Sequence, residues 1–222
     1  MAATNSSLRP YRSRRNFAKT SEPRGTKNKT ITRKKAPLFV IQKHAARQLH
    51  YDLRLEIDGT LVSWAIPKGP SLNPRMRRLA VRTENHPLDY AKFEGTIPEG
   101  EYGAGTVMVW DIGTYKNASE HNGRAISEQN ALKNGEIKFI LKGKKLVGKF
   151  VLIRTDYGKK TGEEWLLIKM KDDYASARRD PVKSQQKSVL TDRTMTQIKR
   201  DACKDKPCPE KKKRKPARTR SK

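Results

Sequence analysis

The 222-residue sequence has little of what a secreted scaffold or a membrane protein requires. Its two cysteines, Cys203 and Cys208, are too few for a disulfide framework and indicate an intracellular protein. No apolar run approaches the roughly 18 residues of a membrane-spanning helix. The opening MAATNSSLRPYRSRR lacks the apolar segment of a secretory signal. We therefore expect a cytoplasmic protein that is neither secreted nor embedded in a membrane.

Acidic residues are also scarce, because 23 Asp and Glu stand against 50 Lys and Arg, a net charge of +27. Residues 1–36, 37–175 and 176–222 carry net charges of +10, +5 and +12, and all three tryptophans lie in the middle segment. We expect a compact core over 37–175 between a basic N-terminal arm and a basic, largely disordered C-terminal tail. The net charge favours a polyanionic partner.

Within the core, apolar and polar residues alternate with the period of a β-strand. LHYDLRLEI (49–57) alternates strictly, Asp58-Gly59 favours a type I′ hairpin turn, and TLVSWAI (60–66) continues as a second strand. One short helix is predicted at 127–134, with Ser127 as its cap and Gly135 as its stop. Short strands separated by turn residues predict an antiparallel barrel or sandwich. The further strands are predicted at 78–83, 105–115, 136–143, 148–155 and 163–170.

The polar face of the first of these strands carries an unusual row of side chains. His50, Asp52 and Arg54 should project from one face about 7 Å apart, and His44, upstream, could fold over them. Two imidazoles and a carboxylate suit Mn, Fe or Zn, and a neighbouring guanidinium can hold a phosphate oxygen. The alternative is that this face simply meets water, as in an ordinary antiparallel sheet.

Other motifs are less specific. His86 lies in ENHPLDY, and basic residues that include Lys68 and Arg78 crowd the same window. The glycines of EGTIPEGEYGAG are interpreted as turns and bends of a barrel rather than as a phosphate cradle. The Cys203/Cys208 pair lacks a second ligand pair, so no zinc site is expected.

Four long blocks, QKHAARQLHYDLRLE, WAIPKGPS, HPLDY and EGTIPEGEYGAGTVMVWD, resemble the 3′-phosphoesterase domain of bacterial DNA ligase D and its stand-alone relatives. The likeness extends to YRSRRNFAKTSEP and SVLTDRT. It implies a mainly β fold, a small antiparallel β-barrel with a few short peripheral helices and flanking basic, disordered arms. It also implies a metal-dependent enzyme that removes 3′-terminal ribonucleosides and 3′-phosphates from DNA.

The resemblance also assigns residues. It places Mn²⁺, or another divalent transition metal, on His44, His50 and Asp52, and substrate contacts on Arg15, Glu22 and Gln42. Arg15 and Glu22 belong to the N-terminal arm, part of which should then close over the active site. Where the family usually has an aspartate this chain has Asn16, which keeps hydrogen bonding but loses the negative charge. The catalytic positions fall on Arg54, His86, Tyr90, Arg78 and Lys68.

As substrates and partners, the resemblance implies DNA 3′ ends, including ribonucleotide-terminated primer-templates, in double-strand-break repair by end joining. A Ku-type end-binding protein, a separate ligase or polymerase and a nucleoid-associated location follow from the same likeness. Two alternatives stay open. His50, Asp52 and His86 could imitate the facial triad of an Fe(II) oxygenase, or the chain could be a non-catalytic nucleic-acid-binding barrel.

Overall fold

The computed structural model describes residues 6–25, 36–155 and 164–202. The strands are β1 (Leu38–Ala45), β2 (Leu49–Ile57), β3 (Thr60–Ile66), β4 (Arg77–Arg82), β5 (Gly95–Ile97), β6 (Gly105–Asn117), β7 (Glu120–His121), β8 (Arg124–Ala125), β9 (Glu136–Lys142), β10 (Val147–Arg154) and β11 (Glu164–Lys169). The helices are α1 (Arg9–Ser13), a 3₁₀ helix (Leu88–Lys92), α2 (Glu128–Asn134), α3 (Pro181–Ser184) and α4 (Met195–Ala202).

Eight antiparallel strands close into a barrel. Their order is β1-β2-β3-β4-β11-β10-β9-β6, and β6 pairs back with β1 to complete the circle. Closure works because β6 is long: its first part pairs with β1 and its last residues, from Thr114 to Asn117, pair with β9. The predicted mainly β fold, an antiparallel barrel with a few short helices, is confirmed.

The sequence-based predictions agree with the structure where side-chain alternation and turn residues were clear. β2 and β3 have the predicted bounds, and Asp58 and Gly59 both adopt positive φ (49° and 73°), as a type I′ turn requires. The predicted helix forms as α2, with the Ser127 hydroxyl accepting from the Asn130 N–H and Gly135 in the left-handed region at φ 83°. The other five predicted strands form within two residues of their predicted ends.

His44 does not fold over the polar row of β2. It lies in β1, a barrel strand that is hydrogen-bonded to β2 on one side and to β6 on the other. Six consecutive residues of β1 are buried, so both of its faces are covered and the sequence shows no simple alternation. His44 therefore stands directly opposite His50 in the register instead of above it.

The barrel interior is apolar. All eight barrel strands contribute to one cluster of buried side chains, and such a cluster can only be the inside of the closed sheet. Trp64 and Trp165 meet edge to face with ring centroids 5.7 Å apart, and Phe139 stacks with Phe150 at 6.2 Å. This core fixes the strands whose opposite faces carry the polar residues.

A second buried cluster covers the outside of β1, β3 and β6. Val40, Leu61 and Val109 from these strands pack against Tyr11 of the N-terminal segment and Tyr90 of the 3₁₀ helix. The sheet is therefore buried on both faces in this region. The polar row of β2 lies on the same outer face, so the alternative in which it simply meets water is wrong.

The described part of the C-terminal segment packs against the barrel. Ile198 of α4 is buried in the interior cluster, and the Trp110 indole N–H donates to the Gln185 carbonyl at 2.7 Å. We propose that the folded core extends to about residue 202 and not only to the predicted residue 175. The tail with its KKKRK run and both cysteines lies outside the described residues. Within the described ranges, no helix is long and apolar enough to cross a membrane.

Candidate active site

Neighbouring strands bring two histidines and an aspartate together. His44 lies opposite His50 and Gln42 lies opposite Asp52 in the β1–β2 register. One ligand atom from each of His44, His50 and Asp52 lies within 4.8 Å of the others, and His44 and Asp52 are buried. These three side chains could hold a metal ion.

Hydrogen bonds orient both imidazoles toward the carboxylate. His44 Nε2 lies 3.0 Å from the Gly103 carbonyl, and His50 Nδ1 lies 3.0 Å from the Gln48 carbonyl. A carbonyl only accepts, so in a neutral ring these nitrogens carry the proton and the other ring nitrogen keeps its lone pair. Those free nitrogens, His44 Nδ1 and His50 Nε2, each lie 3.7 Å from an Asp52 oxygen. A carbonyl behind each ring is the usual support of a metal-binding histidine, so the donor set fits a divalent cation.

Asp52 is held in its charged form. Burial alone would raise its pKa, but the charge of Arg54, whose Nη2 is 3.1 Å from Oδ2, outweighs burial and lowers the pKa to about 2. An ionised carboxylate is what a cation requires.

Arg54 forms four side-chain contacts on the floor of the site. Its Nε donates to Gln42 Oε1 at 2.8 Å, Nη1 reaches Ser63 Oγ at 2.9 Å and His86 Nδ1 at 2.8 Å, and Nη2 donates to Asp52. The Gln42 amide N–H₂ donates in turn to the carbonyls of Tyr90 and Phe93, both at 3.0 Å. Gln42 is completely buried and its amide is fully used, so these contacts favour a role in positioning Arg54 over the predicted contact with substrate.

His86 lies between two guanidinium groups. Its Nδ1 is near Arg54 and its Nε2 is 3.3 Å from Arg15 Nη2. Burial and then the positive charges of Arg54 and Arg15 lower its pKa well below the ordinary histidine value. The ring is therefore neutral at physiological pH. Its Nδ1 also lies 2.9 Å from the Glu84 carbonyl, so backbone as well as arginine contacts hold the ring in place.

The N-terminal segment delivers Arg15 to this centre. The Arg15 guanidinium donates to Glu22 Oε1 at 2.8 Å, pairs with Glu84 Oε1 at 3.1 Å and lies 3.8 Å from the centre of the Tyr11 ring. Glu22 also accepts from the Tyr90 hydroxyl at 3.0 Å. Burial first, and then the charge of Glu22, raise the pKa of Tyr90, so its hydroxyl remains a donor. Glu22 and Tyr90 thus brace Arg15 from behind.

A cavity of about 170 Å³ opens over these groups, lined among others by His44, His50, Asp52, Arg54 and His86. Arg15 and Tyr90 also line it, whereas Glu22 and Gln42 lie behind the lining.

Two predicted residues are not brought to this cavity. Lys68 is exposed after β3 and contributes nothing to the lining. Arg78 pairs with Leu167, whose side chain belongs to the barrel interior, and its Nε is buried without a hydrogen-bond partner in the described part of the chain. Neither lies beside His44, His50 or Asp52 in this structure.

Sequence reasoning missed three contributors. Glu84 pairs with Arg14 and Arg15, Ser63 accepts from Arg54, and Tyr102 lines the cavity. Ser63 was visible as the one polar residue between apolar neighbours on the same face of β3, and Glu84 stands two residues before His86. Nothing in the local sequence pointed to Tyr102.

The glycine-rich loop supports the site by its backbone. A Cβ on Gly105 would lie 2.4 Å from the Ala45 carbonyl oxygen, so only glycine lets β6 approach the end of β1 beside His44. Gly103, with φ 78°, supplies the carbonyl that orients His44. These contacts agree with the structural interpretation of the loop.

Asn16 is exposed, and its side-chain oxygen accepts from the Ala18 N–H at 3.1 Å. An aspartate could accept the same bond, so in this structure the amide preserves the local turn that precedes Glu22. The grouping proposed for an oxygenase does not form, because the His86 ring nitrogens contact arginines instead of joining His50 and Asp52.

Curated relatives share close to half of their aligned residues with this chain. The multifunctional non-homologous end joining protein LigD of Pseudomonas aeruginosa is 45% identical over 190 residues, 85% of this chain and 22% of the relative. The corresponding DNA repair protein of Mycobacterium tuberculosis is 45% identical over 165 residues, 74% of this chain and 20% of the relative. That of Mycolicibacterium smegmatis is 45% identical over 166 residues, with shares of 74% and 21%. The chain spans about a fifth of the length of these relatives.

The family profile of the DNA Ligase D 3′-phosphoesterase domain matches residues 42–154, which run from Gln42 in β1 through the cavity-lining strands and loops to the end of β10. The predicted resemblance is thereby confirmed, and the chain belongs to the DNA ligase D 3′-phosphoesterase domain family, as a phosphoesterase domain.

Proposed function

We propose that this protein is a Mn²⁺-dependent 3′-phosphoesterase that heals DNA ends before ligation. On an end that carries a terminal ribonucleoside, water would attack the phosphorus and the ribonucleoside would leave, which leaves a 3′-phosphate. Hydrolysis of that phosphate would then restore a 3′-hydroxyl. The observation that carries the proposal is the two-histidine-one-aspartate cluster, with its lone pairs converging beside Arg54 and His86.

His44, His50 and Asp52 would hold the cation. When bound, a divalent metal ion withdraws charge from a phosphoryl oxygen and lowers the pKa of a water molecule. The chain's own contribution is to keep Asp52 ionised and to aim His44 Nδ1 and His50 Nε2 at it, with a backbone carbonyl behind each ring. Other divalent transition metals suit the same ligands.

Arg54 would bind the phosphoryl group. A guanidinium has five N–H groups, and its contacts with Gln42, Ser63, His86 and Asp52 use four of them. One N–H on Nη2 remains for a phosphoryl oxygen. Because the other four are engaged, the group is held in place before substrate arrives, which is the condition for stabilising charge in the transition state.

His86 would position the two guanidinium groups and would not transfer a proton. The ring is neutral, and a neutral imidazole is too weak an acid to protonate a departing oxygen. Its place between two guanidinium groups favours a contact with an anionic oxygen. Tyr90 donates to Glu22 and has a raised pKa, so it too fits a positioning role better than acid catalysis.

Arg15 would add a second cation to the phosphate site and would make the N-terminal segment part of the enzyme. Its contacts with Glu22, Glu84 and His86 tie residues 6–25 to the cavity. The segment would therefore close over part of the site, and Lys68 and Arg78 would reach substrate only outside the cavity described above.

The remaining attributes follow from the relatives. They are named as non-homologous end joining proteins, so we propose double-strand-break ends as the substrates of this chain and a ligase, polymerase and Ku-type protein as its functional partners. Cytoplasmic location at the nucleoid belongs to the same proposal. The +27 charge supports binding to DNA through its phosphates.

The test is a 5′-labelled DNA primer ending in one ribonucleotide, annealed to a template and incubated with Mn²⁺. Wild-type protein should convert it to a 3′-phosphate product and then to a 3′-hydroxyl product on a denaturing gel. Asp52→Asn and His50→Ala should abolish both steps. His121→Ala, which removes an exposed histidine of β7, is the matched control and should retain full activity.

Metal binding can be measured separately by titrating Mn²⁺ and following the free ion by electron paramagnetic resonance. Wild-type and His121→Ala should bind one ion, whereas Asp52→Asn and His50→Ala should lose most of the affinity at unchanged circular dichroism. Full activity or undiminished binding in Asp52→Asn would refute the metal site. Oxidation of a cosubstrate by the Fe²⁺-loaded protein, without phosphate release, would favour the oxygenase instead.

A further inference from the structure

Tyr102 lies exposed at the rim of the metal-ligating cavity. It lines the cavity together with His44 and His50, yet 46% of its surface is open to solvent. A large aromatic side chain left half exposed beside a polar site is a candidate for contact with a ligand.

The ring is nevertheless held in place. Its hydroxyl accepts from Arg14 Nη1 at 2.9 Å and donates to Glu84 Oε2 at 3.2 Å. The guanidinium carbons of Arg14 and Arg15 lie 5.1 Å and 5.6 Å from the ring centre. The two hydrogen bonds of the Tyr102 hydroxyl therefore restrict the ring before any ligand binds.

The backbone ties the ring to the metal-ligating residues. Tyr102 stands between Gly100 and Gly103, which adopt φ 86° and 78°, and the Gly103 carbonyl accepts from the His44 ring. Gly103, the residue after Tyr102, thus fixes this loop to His44, a predicted metal ligand. A second exposed tyrosine, Tyr174, is 50% exposed and does not line this cavity, so it offers a comparison.

We propose that Tyr102 is the stacking platform for the base of the 3′-terminal nucleotide. The inference rests on the proposed function, in which the phosphate of that nucleotide lies against Arg54 and His86. Every base has a π face, so stacking on a tyrosine ring tolerates any base. Tyr102 would therefore discriminate a terminal nucleoside from an abasic terminus without reading which base is present.

The experiment compares two primers, one ending in a ribonucleotide with its base and one ending in an abasic ribose. KM and kcat are measured for the wild type, Tyr102→Ala, Tyr102→Phe and the matched control Tyr174→Ala. Stacking on an aromatic side chain is worth roughly tenfold in affinity or more per base. Tyr102→Ala should therefore raise KM about tenfold for the primer with the base and leave KM for the abasic primer unchanged.

Tyr102→Phe keeps the ring and should retain most of the preference for the base, and Tyr174→Ala should behave as the wild type. An equal KM increase on both primers in Tyr102→Ala would overturn the proposal. So would a loss in Tyr102→Phe as large as in Tyr102→Ala, because that loss would belong to the Arg14 and Glu84 bonds. If the wild type cleaved both primers with equal KM, the platform would be refuted while the proposed function stood. If it cleaved neither, the proposed function itself would fail.

Discussion

The two faces of β1, β2 and β3 are both buried, but different material covers them. The inner face carries Leu53 and Trp64 into an apolar interior shared by all eight barrel strands. The outer face carries Asp52 and Arg54, and the N-terminal segment and the 3₁₀ helix cover it. The inner face supplies the rigidity, since large apolar and aromatic side chains fill it, and the outer face can then hold charged groups close together. One pattern of alternation therefore serves stability on one side and chemistry on the other.

The largest effect is expected for a substitution on the inner face, and it should fall on the free energy of unfolding. Phe139→Ala removes an interior ring that stacks on Phe150, and should lower the free energy of unfolding by about 3–5 kcal/mol because it leaves a cavity. The measurement is urea unfolding of the metal-free protein. Mn²⁺ affinity of the still-folded variant should stay within a few-fold of wild type. A stability loss below about 1 kcal/mol would contradict a tightly packed interior.

A buried ion pair away from the site should affect stability and not chemistry. Asp172 pairs with the fully buried Lys169 ammonium, and Asp172→Asn should cost about 2 kcal/mol at pH 7 because the charge loses its partner. Burial acts to raise the Asp172 pKa, but the Lys149 N–H and Lys169 lower it overall.

The lowered pKa sets the pH dependence of that effect. The contribution of Asp172 is fully present above the ordinary aspartate pKa of about 3.9 and is lost as the pH falls through the lower value of the folded state. The stability difference between the wild type and Asp172→Asn should therefore shrink below about pH 4. Urea unfolding between pH 2 and 7 would reveal it, and a difference that stayed constant across this range would exclude an ionised Asp172.

On the outer face, Arg54→Lys should reduce catalysis more than it reduces folding. Lysine keeps the charge but cannot reproduce the planar fork that contacts Gln42, Ser63 and Asp52 together. We expect single-turnover cleavage of the ribonucleotide-terminated primer to fall about 100-fold. Arg124→Lys, the same substitution in the exposed β8, should cleave at the wild-type rate. Equal cleavage rates in the two variants would contradict a role of the Arg54 guanidinium in binding the phosphoryl group.

The smallest effect on chemistry is expected at the C-terminus. Deletion of 203–222 removes ten basic and two acidic residues, so DNA binding should weaken and its salt dependence flatten, with saturated turnover unchanged. Deletion of 195–222 also removes Ile198 from the interior cluster, so it should lower the thermal midpoint as well. Fluorescence anisotropy across a salt series and thermal melts would separate the two deletions. Equal melting temperatures in both would contradict the packing of α4.

Much of the barrel could be predicted because its signals are local. The strict alternation of 49–57, the Asp58-Gly59 turn and the Ser127 cap each involve residues within a few positions of one another. β1 was missed for a complementary reason. It is buried on both faces, and its apolar first half is followed by the buried polar residues Gln42, Lys43 and His44, so no alternation marks it as a strand.

The candidate site divides in the same way. His50, Asp52 and Arg54 share one strand face, so their proximity follows from strand geometry alone. Glu84 and Ser63 have only a weak local signal, because their place at the site depends on how β3, β4 and the loop after β4 meet distant strands. Lys68 and Arg78 were predicted at the site but do not line the cavity, because a basic residue near the site residues in sequence need not face the cavity.

The sequence by itself determined most of the strands, the hairpin and the donor types of the candidate site, because alternation, turn chemistry and donor atoms are properties of short segments. The tertiary structure alone decided which charges meet, as with Arg15 and His86, which are 71 residues apart and in contact at 3.3 Å. Such a contact depends on closure of the barrel and on the N-terminal segment covering its outer face. Closure of the barrel fixes the relative positions of side chains that are distant in sequence, and local sequence preferences do not. The residue types of the candidate site could therefore be read from the sequence, but their geometry could not.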